Sequence, residues 1–393
     1  MRTRAIFLAS ALAHCAVARL ALGDGSAADG ALMTPAAIVA GGYVAPDGTI
    51  QHDGAILIAD GRIKELIPSE KLTRIEGVVR FPDAVISPGL IDLRSVIGAY
   101  GKAKESAVAM DAGASAADTL DPRHPDYRRA LEAGVTTVMI APDPNNIVSG
   151  TAVVLKTSGH ESGITLREDG PLMLALGPTT WDYDREPTSR IGALAMLREG
   201  LAEAKAGKGH KRLQEFVAGT LDGFVFCGEP MDVSAALRTL AGYPARFNLI
   251  HNSDEDELAS EIAGAGVGIV LGPYDFGMPP RMLSFAGVLA SGNVPVAFAA
   301  NMPAGSGEAL RRSAALAVRY GMDATKARQA MTSTPAAMAG VGDRVGAIKP
   351  GLDADLVVFS GDPLRLDSRV LEVYVKGVRI YQADGSFSKR GPL

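Results

Sequence analysis

Few side chains in this sequence are grouped in a way that could do chemistry. The densest run is His251-Asn252-Ser253-Asp254-Glu255-Asp256-Glu257, where an imidazole and several carboxylates could gather a divalent cation. The same run also reads as a helix start, with Ser253 as cap and the carboxylates favouring the positive helix end. Asp121 and His124, in Asp121-Pro122-Arg123-His124-Pro125, could reach a site from a long loop, although turn chemistry alone accounts for the Asp and both Pro. Cys227 could be a nucleophile, but no His lies near it in sequence, and a buried apolar thiol is the usual state of such a Cys. Lys156 closes the apolar run Val153-Val154-Leu155 and is expected to face solvent from a strand end.

Any such site must be positioned by a large fold. The chain has 393 residues, enough for one large domain and a smaller one, and its 47% hydrophobic content suits a buried core. The 45 glycines and 23 prolines are spread along the chain, which fits many short connections rather than a disordered tract. Acidic residues outnumber basic ones, 44 to 39, and no basic block stands out, which argues against a nucleic-acid partner. Two cysteines cannot build a disulfide framework.

Residues 1–28 have the pattern of a secretory signal. Arg2 and Arg4 precede an apolar run over residues 5–13, and small-residue cleavage sites follow at Ala16-Val17-Ala18, Ala21-Leu22-Gly23 and Ser26-Ala27-Ala28. The run is far short of the roughly 20 residues a membrane span needs, and Arg19 interrupts it. Cys15 raises a lipoprotein alternative, but bulky His14 stands where a small residue is wanted. A buried N-terminal helix is the other alternative. The expected location is therefore exported, periplasmic or secreted.

Short β segments follow the leader, with Asp60-Gly61 as a hairpin turn into Arg62-Ile63-Lys64-Glu65-Leu66-Ile67. The last fifty or so residues have the same texture, with strands at Ala354-Asp355-Leu356-Val357-Val358-Phe359 and Val370-Leu371-Glu372-Val373-Tyr374-Val375 and a turn at Lys376-Gly377-Val378. Two β-rich ends predict one small sandwich made from both termini, residues 29–86 and 344–393. Between them, over residues 87–343, apolar strands alternate with helical stretches. Residues 126–133 predict a helix with Pro125 at its start and Gly134 past its end, followed by the strand Val135-Thr136-Thr137-Val138-Met139-Ile140. This alternation predicts a parallel sheet, best closed as a (β/α)8 TIM-type barrel with chemistry at the C-terminal strand ends. An open doubly wound sheet is the runner-up, and no Gly-rich phosphate fingerprint supports it.

Three stretches, in order, resemble the metal-dependent amidohydrolase superfamily and its imidazolonepropionase-like branch. Val85-Ile86-Ser87-Pro88-Gly89-Leu90-Ile91-Asp92 is similar to the entry into the first barrel strand, and Gly134-Val135-Thr136-Thr137-Val138 to the second strand. Thr334-Pro335-Ala336, followed by Val345-Gly346-Ala347-Ile348-Lys349-Pro350-Gly351-Leu352-Asp353-Ala354-Asp355-Leu356-Val357-Val358, is similar to the family's return into the sandwich. The resemblance implies a metal site built from a His-x-His on strand 1, a His on each of strands 5 and 6, and an Asp on strand 8. In such a site the metal acidifies a water and the Asp takes its proton.

That ligand set is mostly missing from this sequence. By this resemblance Arg94 and Val96 stand at the His-x-His positions, Phe226 (or, with a one-residue shift, Cys227 or Gly228) at the strand-5 position and Asn301 at the Asp position, so only His251 survives. Lys156 resembles, in type, the carboxylated lysine of some relatives. Arg94 could instead hold a carboxylate or phosphate, or form an ion pair inside the barrel. The expectation is a pseudoenzyme with no cofactor that binds a small-molecule ligand through Arg94, His251 and Asn301. One alternative is an exported C–N hydrolase with an atypical zinc site. Another is an inactive subunit paired with an active homologous subunit, or a homo-oligomer.

Overall fold

The computed structural model describes residues 34–383, apart from 73–74, 159–164 and 254. The expected leader, with Arg2, Arg4 and Cys15, lies outside the described residues, as does Asp254. Among the described residues no helix is long and apolar enough to cross a membrane.

The N-terminal part forms strands β1 (Ala37–Val44), β2 (Ile50–His52), β3 (Gly54–Ala59), β4 (Arg62–Pro68) and β5 (Val78–Pro88). β1 pairs antiparallel with β2 and β3, and parallel with β5. The β3–β4 turn is Asp60-Gly61, with φ of 51° and 74°. Positive φ at both central residues matches the right-handed strand twist, as the Asp-Gly pair predicted.

β6 (Leu90–Ser95) starts one residue beyond β5, across Gly89. A Cβ on Gly89 would lie 1.8 Å from Thr136 Oγ1, so only glycine lets this crossing sit against its neighbour. The helix α1 (Asp126–Glu132) leads to β7 (Val135–Ile140), fully buried along its length. Next come β8 (Val148–Thr151), β9 (Val153–Lys156), β10 (Thr165–Arg167) and β11 (Leu172–Leu176). Helices α2 (Arg190–Lys205) and α3 (Lys211–Val217) separate β11 from β12 (Gly223–Cys227). α4 (Pro230–Leu240), β13 (Phe247–Ile250), α5 (Asp256–Ala265), β14 (Gly268–Leu271), α6 (Pro280–Ser291) and β15 (Val296–Phe298) continue the alternation. Strands β11 to β15 pair in consecutive parallel order, as the strand–helix alternation predicted.

The sheets are mixed rather than wholly parallel, which corrects the sequence expectation at one place. β8 runs antiparallel to β11, and β9 antiparallel to β7. Only residues 141–147 connect β7 to β8, too few for the crossover a parallel return needs, so the chain doubles back. β8 belongs to a six-stranded sheet and β9 to a four-stranded one, with Ala152 alone between them. At the opposite edges, Ser95 pairs in parallel with Met302, and Val96 N donates to Met302 O at 2.9 Å. One buried apolar cluster takes Ile91, Met139, Val154, Phe224, Val270 and Ala297 from strands of both sheets.

Helices α7 (Ala309–Arg319), α8 (Ala324–Gln329) and α9 (Ser333–Met338) lead to β16 (Leu356–Phe359), β17 (Val370–Val375) and β18 (Val378–Gln382). β16 pairs antiparallel with β5, so both ends of the chain contribute to one eight-stranded sheet. Its core joins Ile38, Ile56 and Ile86 to Leu356, Val358 and Tyr374.

Lys156 does not face solvent, contrary to expectation. It is 1% exposed, and its Nζ lies 2.8 Å from Asp353 Oδ2 and 2.7 Å from Asp355 Oδ2. Arg344 donates to Asp353 at 2.8 Å from the other side. The end of β9 abuts the segment entering β16, and two carboxylates compensate the buried ammonium.

Candidate functional site

Arg94, Val96, Phe226, His251 and Asn301 lie at or just past the C-terminal ends of β6, β12, β13 and β15. Along β6 the register shifts: Asp92 pairs with Val138 and Ser95 with Ile140. β6 thus advances one more residue than β7, and such a bulge re-aims side chains. It accompanies the placement of the Arg94 guanidinium carbon 5.0 Å from the centroid of the Phe226 ring. Arg94 is half-buried, and burial pulls its pKa down against the opposing pull of Asp92, yet a guanidinium stays charged.

Asp92 ties two strand ends together. Its Oδ1 accepts from Arg94 N at 3.1 Å and from Ala300 N at 3.0 Å. The residue is wholly buried, its Oδ2 has no hydrogen-bond partner, and burial raises its pKa to about 6 against those backbone bonds. Sequence reasoning passed over its role. The available signal was an acid standing inside the apolar run Leu90-Ile91-Asp92-Leu93.

β12 and β13 pair Phe226 with Ile250, and His251 follows directly. Its backbone N donates to Val270 O at 3.2 Å, and its Nδ1 lies 2.8 Å from Cys227 O. A carbonyl only accepts, so Nδ1 carries the proton and Nε2 presents a lone pair. Nε2 is buried with no partner, and burial lowers the imidazole pKa, which keeps the ring neutral. The Cys227 thiol is 2% exposed and burial pushes its pKa far up, the setting of the buried apolar thiol expected from sequence.

Asn301 follows β15 with φ of 58°, in the left-handed region that Asn tolerates better than most residues. Its carbonyl accepts from Gly305 N at 2.8 Å. The Val96 backbone N donates to Met302 O in this loop.

The other candidates do not join the site. Ser253 Oγ accepts from Glu255 N at 3.2 Å, whereas Glu255 is the residue that caps α5. Ser253 therefore closes the turn before the helix and not the helix itself, which corrects the expected cap. Asn252 links the ends of β13 and β14 by bonds of 2.7 and 3.2 Å with Gly272. Asp121 accepts from Arg123 N and His124 pairs with Asp126, which is the turn chemistry expected.

The donor set at the strand ends does not fit a catalytic divalent metal. At the positions that the resemblance gives to the ligands, a guanidinium, an isopropyl and a phenyl group offer no lone pair, which leaves the His251 Nε2 and the neutral Asn301 amide oxygen, and the neighbouring Asp92 carboxylate is already held through Oδ1 by two backbone N–H groups. A catalytic zinc takes three protein ligands.

Residues 298–381 match the amidohydrolase family. The curated protein "Amidohydrolase tasK" of Hapsidospora irregularis is 23% identical over 326 residues, covering 66% of this chain and 32% of its own length. The chain thus spans about a third of that relative. A crystal structure of an amidohydrolase from Thermotoga maritima MSB8 superposes with a TM-score of 0.79 at 23% identity, covering 88% of this chain and 99% of its own. An adenosine deaminase from Xanthomonas campestris with bound zinc gives a TM-score of 0.50 at 18% identity over 88% and 92%. These amidohydrolase likenesses show a shared α/β fold with mixed sheets.

Proposed function

We propose that this chain is an amidohydrolase-fold protein that does not hydrolyse and instead binds a small-molecule ligand at the strand ends. The single observation that carries this is the donor set. Arg94, Val96 and Phe226 stand at the positions the resemblance gives to imidazoles, and the Arg94 guanidinium lies over the Phe226 ring. A lone His251 lacks the preorganised partners that metal affinity requires. Without a metal, nothing brings the pKa of water from about 15.7 to about 7. Asn301 cannot take a proton near neutral pH.

In this account the two inner sheets act as one closed barrel, roughly residues 87–343, and the terminal sheet belongs to a sandwich. The support is the single-residue step at Ala152 and the Ser95–Met302 pairing at the opposite edge. Residues 1–28 act as an export leader. Mass spectrometry of the envelope or secreted fraction is then expected to give a chain starting between residues 19 and 29. Intact Met1 in that fraction would contradict it.

The relatives' names favour a competing role, a C–N hydrolase with an atypical site. An assay separates the two. The purified chain is tested on acyclic amides, cyclic amides and aminopurines, with added Zn²⁺ and after chelation. No turnover above background is expected in either condition. Metal-dependent turnover abolished by His251→Ala would overturn the proposal.

A further inference from the structure

We infer that the joint between β6 and β15 is where this core opens locally, with the Asp92 carboxylate as its latch. The inference rests on the reading above that the two inner sheets close into one barrel.

The joint is built unlike its neighbours. Among the described residues β6 and β15 share no ladder. Each is the edge strand of its own sheet, and one parallel bridge, Ser95 to Met302, pairs them directly. Nearer the strand starts, their backbone groups turn to a third segment. Ile91 N donates to Met331 O and Phe298 N to Ala330 O, both at 3.0 Å, so residues 330 and 331 take one bond from each strand. On its other side β15 is held to β14 by three consecutive parallel pairs. A joint without such a ladder can part without breaking a row of bonds together.

One side chain does much of what the ladder would do. Asp92 is an acid inside the apolar run Leu90-Ile91-Asp92-Leu93, and it is wholly buried. Its Oδ1 accepts from Arg94 N at 3.1 Å on its own strand and from Ala300 N at 3.0 Å across the joint. Bonds from N–H groups to a carboxylate are roughly twice as strong as neutral ones. The other backbone bond across the joint, Val96 N to Met302 O, spans 2.9 Å.

Met302 also has room to move away. With Ile97 and residues 303–308 it lines a cavity of about 470 Å³. Close packing normally holds a buried side chain in place, and an adjoining void removes part of that restraint. The residues after Met302 form a tight turn. Gly305 N donates to Asn301 O at 2.8 Å, and a Cβ on Gly305 would lie 2.1 Å from Ala300 O. Release of the Asp92–Ala300 and Val96–Met302 bonds would let this turn swing into the cavity and open the end of β6 from the side.

Hydrogen exchange resolved to single amides, followed at several low denaturant concentrations, tests this on the purified chain. Arg94, Val96 and Ala300 report on the joint, and the β12–β13 ladder is the reference. The joint amides should exchange at least about 100-fold faster than the ladder, at a rate nearly independent of denaturant, as local opening requires. Val96 reports on the latch, because its own bond does not involve Asp92. Asp92→Ala should speed Val96 exchange at least about tenfold with the ladder unchanged, whereas Asp92→Asn keeps an acceptor oxygen and should stay within about threefold of the parent. The parent's own exchange decides the local opening even if Asp92→Ala does not fold. Joint amides as protected as the ladder, and released only by global unfolding, would overturn the inference and leave the barrel standing. Val96 exchange that is unchanged in a folded Asp92→Ala chain would overturn the latch. No protection at any of the three amides would show that the sheets do not meet there, which defeats the closed-barrel reading itself.

Discussion

Lys156 shows how far one side chain's setting can depart from its local sequence. Its run, Val153-Val154-Leu155-Lys156, looks like a strand with a solvated end, yet the ammonium is held by Asp353 and Asp355. Those partners lie 197 and 199 residues away, beyond the reach of any local pattern. Lys156→Met would take the ion-pair partner from the buried Asp355 and leave Asp353 to Arg344 and Arg62, and is expected to cost about 3–5 kcal/mol, read from denaturant midpoints. The triple variant with Asp353→Asn and Asp355→Asn should recover most of that loss, and no recovery would show that the lysine's packing rather than its charge matters. The pH dependence follows from Asp353, whose pKa is lowered from 3.8 by Arg344 and Lys156 despite burial. A depressed carboxyl stabilises the fold above its unfolded value and loses that contribution as pH falls through the folded value. Stability should therefore drop below pH 3.8, and less steeply in the Asp353→Asn variant. The places of His251 and Asn301 just past strands were legible from the apolar runs before them. The tautomer of His251 was not, because it is set by a carbonyl on the neighbouring strand.

At the scale of elements, turns and strand order were legible wherever a local residue dictates backbone geometry. Asp60-Gly61 and Lys376-Gly377 both form two-residue turns with positive φ. The antiparallel return of β8 and β9 was not legible, since apolar runs carry no direction and only loop length decides it. Gly89 is the hinge that lets β5 run on into β6 against Thr136. Gly89→Ala would place a Cβ 1.8 Å from Thr136 Oγ1, and overpacking of this kind is expected to cost at least about 1–3 kcal/mol by chemical denaturation. Thr136→Ala should recover only part, because the Thr136 Cβ itself would stand 2.8 Å away. An unchanged midpoint for Gly89→Ala would refute the close approach. The strand ends can be tested by restoring the family's donors. Arg94→His, Val96→His, Phe226→His and Asn301→Asp together should create tight Zn²⁺ binding that the parent lacks, measured by calorimetry. Failure of a folded quadruple variant to bind zinc would show that these positions do not converge.

For the whole molecule, both termini build one sheet, and the last strands are not a removable tail. A chain ending at Gly340 loses β16 to β18 and leaves the β5 edge and the Ile38, Ile56 and Ile86 side chains uncovered. It should be insoluble or lose its cooperative thermal transition, and a soluble chain with unchanged melting would contradict the shared sheet. The likeness to a solved amidohydrolase shows the fold alone, and the proposed loss of hydrolysis rests on the side chains at the strand ends. The central claim, that the strand ends hold no resident metal, is tested most directly by elemental analysis of the purified chain after exhaustive dialysis. The account predicts far less than one divalent metal per chain, unchanged by His251→Ala. Close to one equivalent that survives dialysis in the parent and disappears in His251→Ala would contradict it.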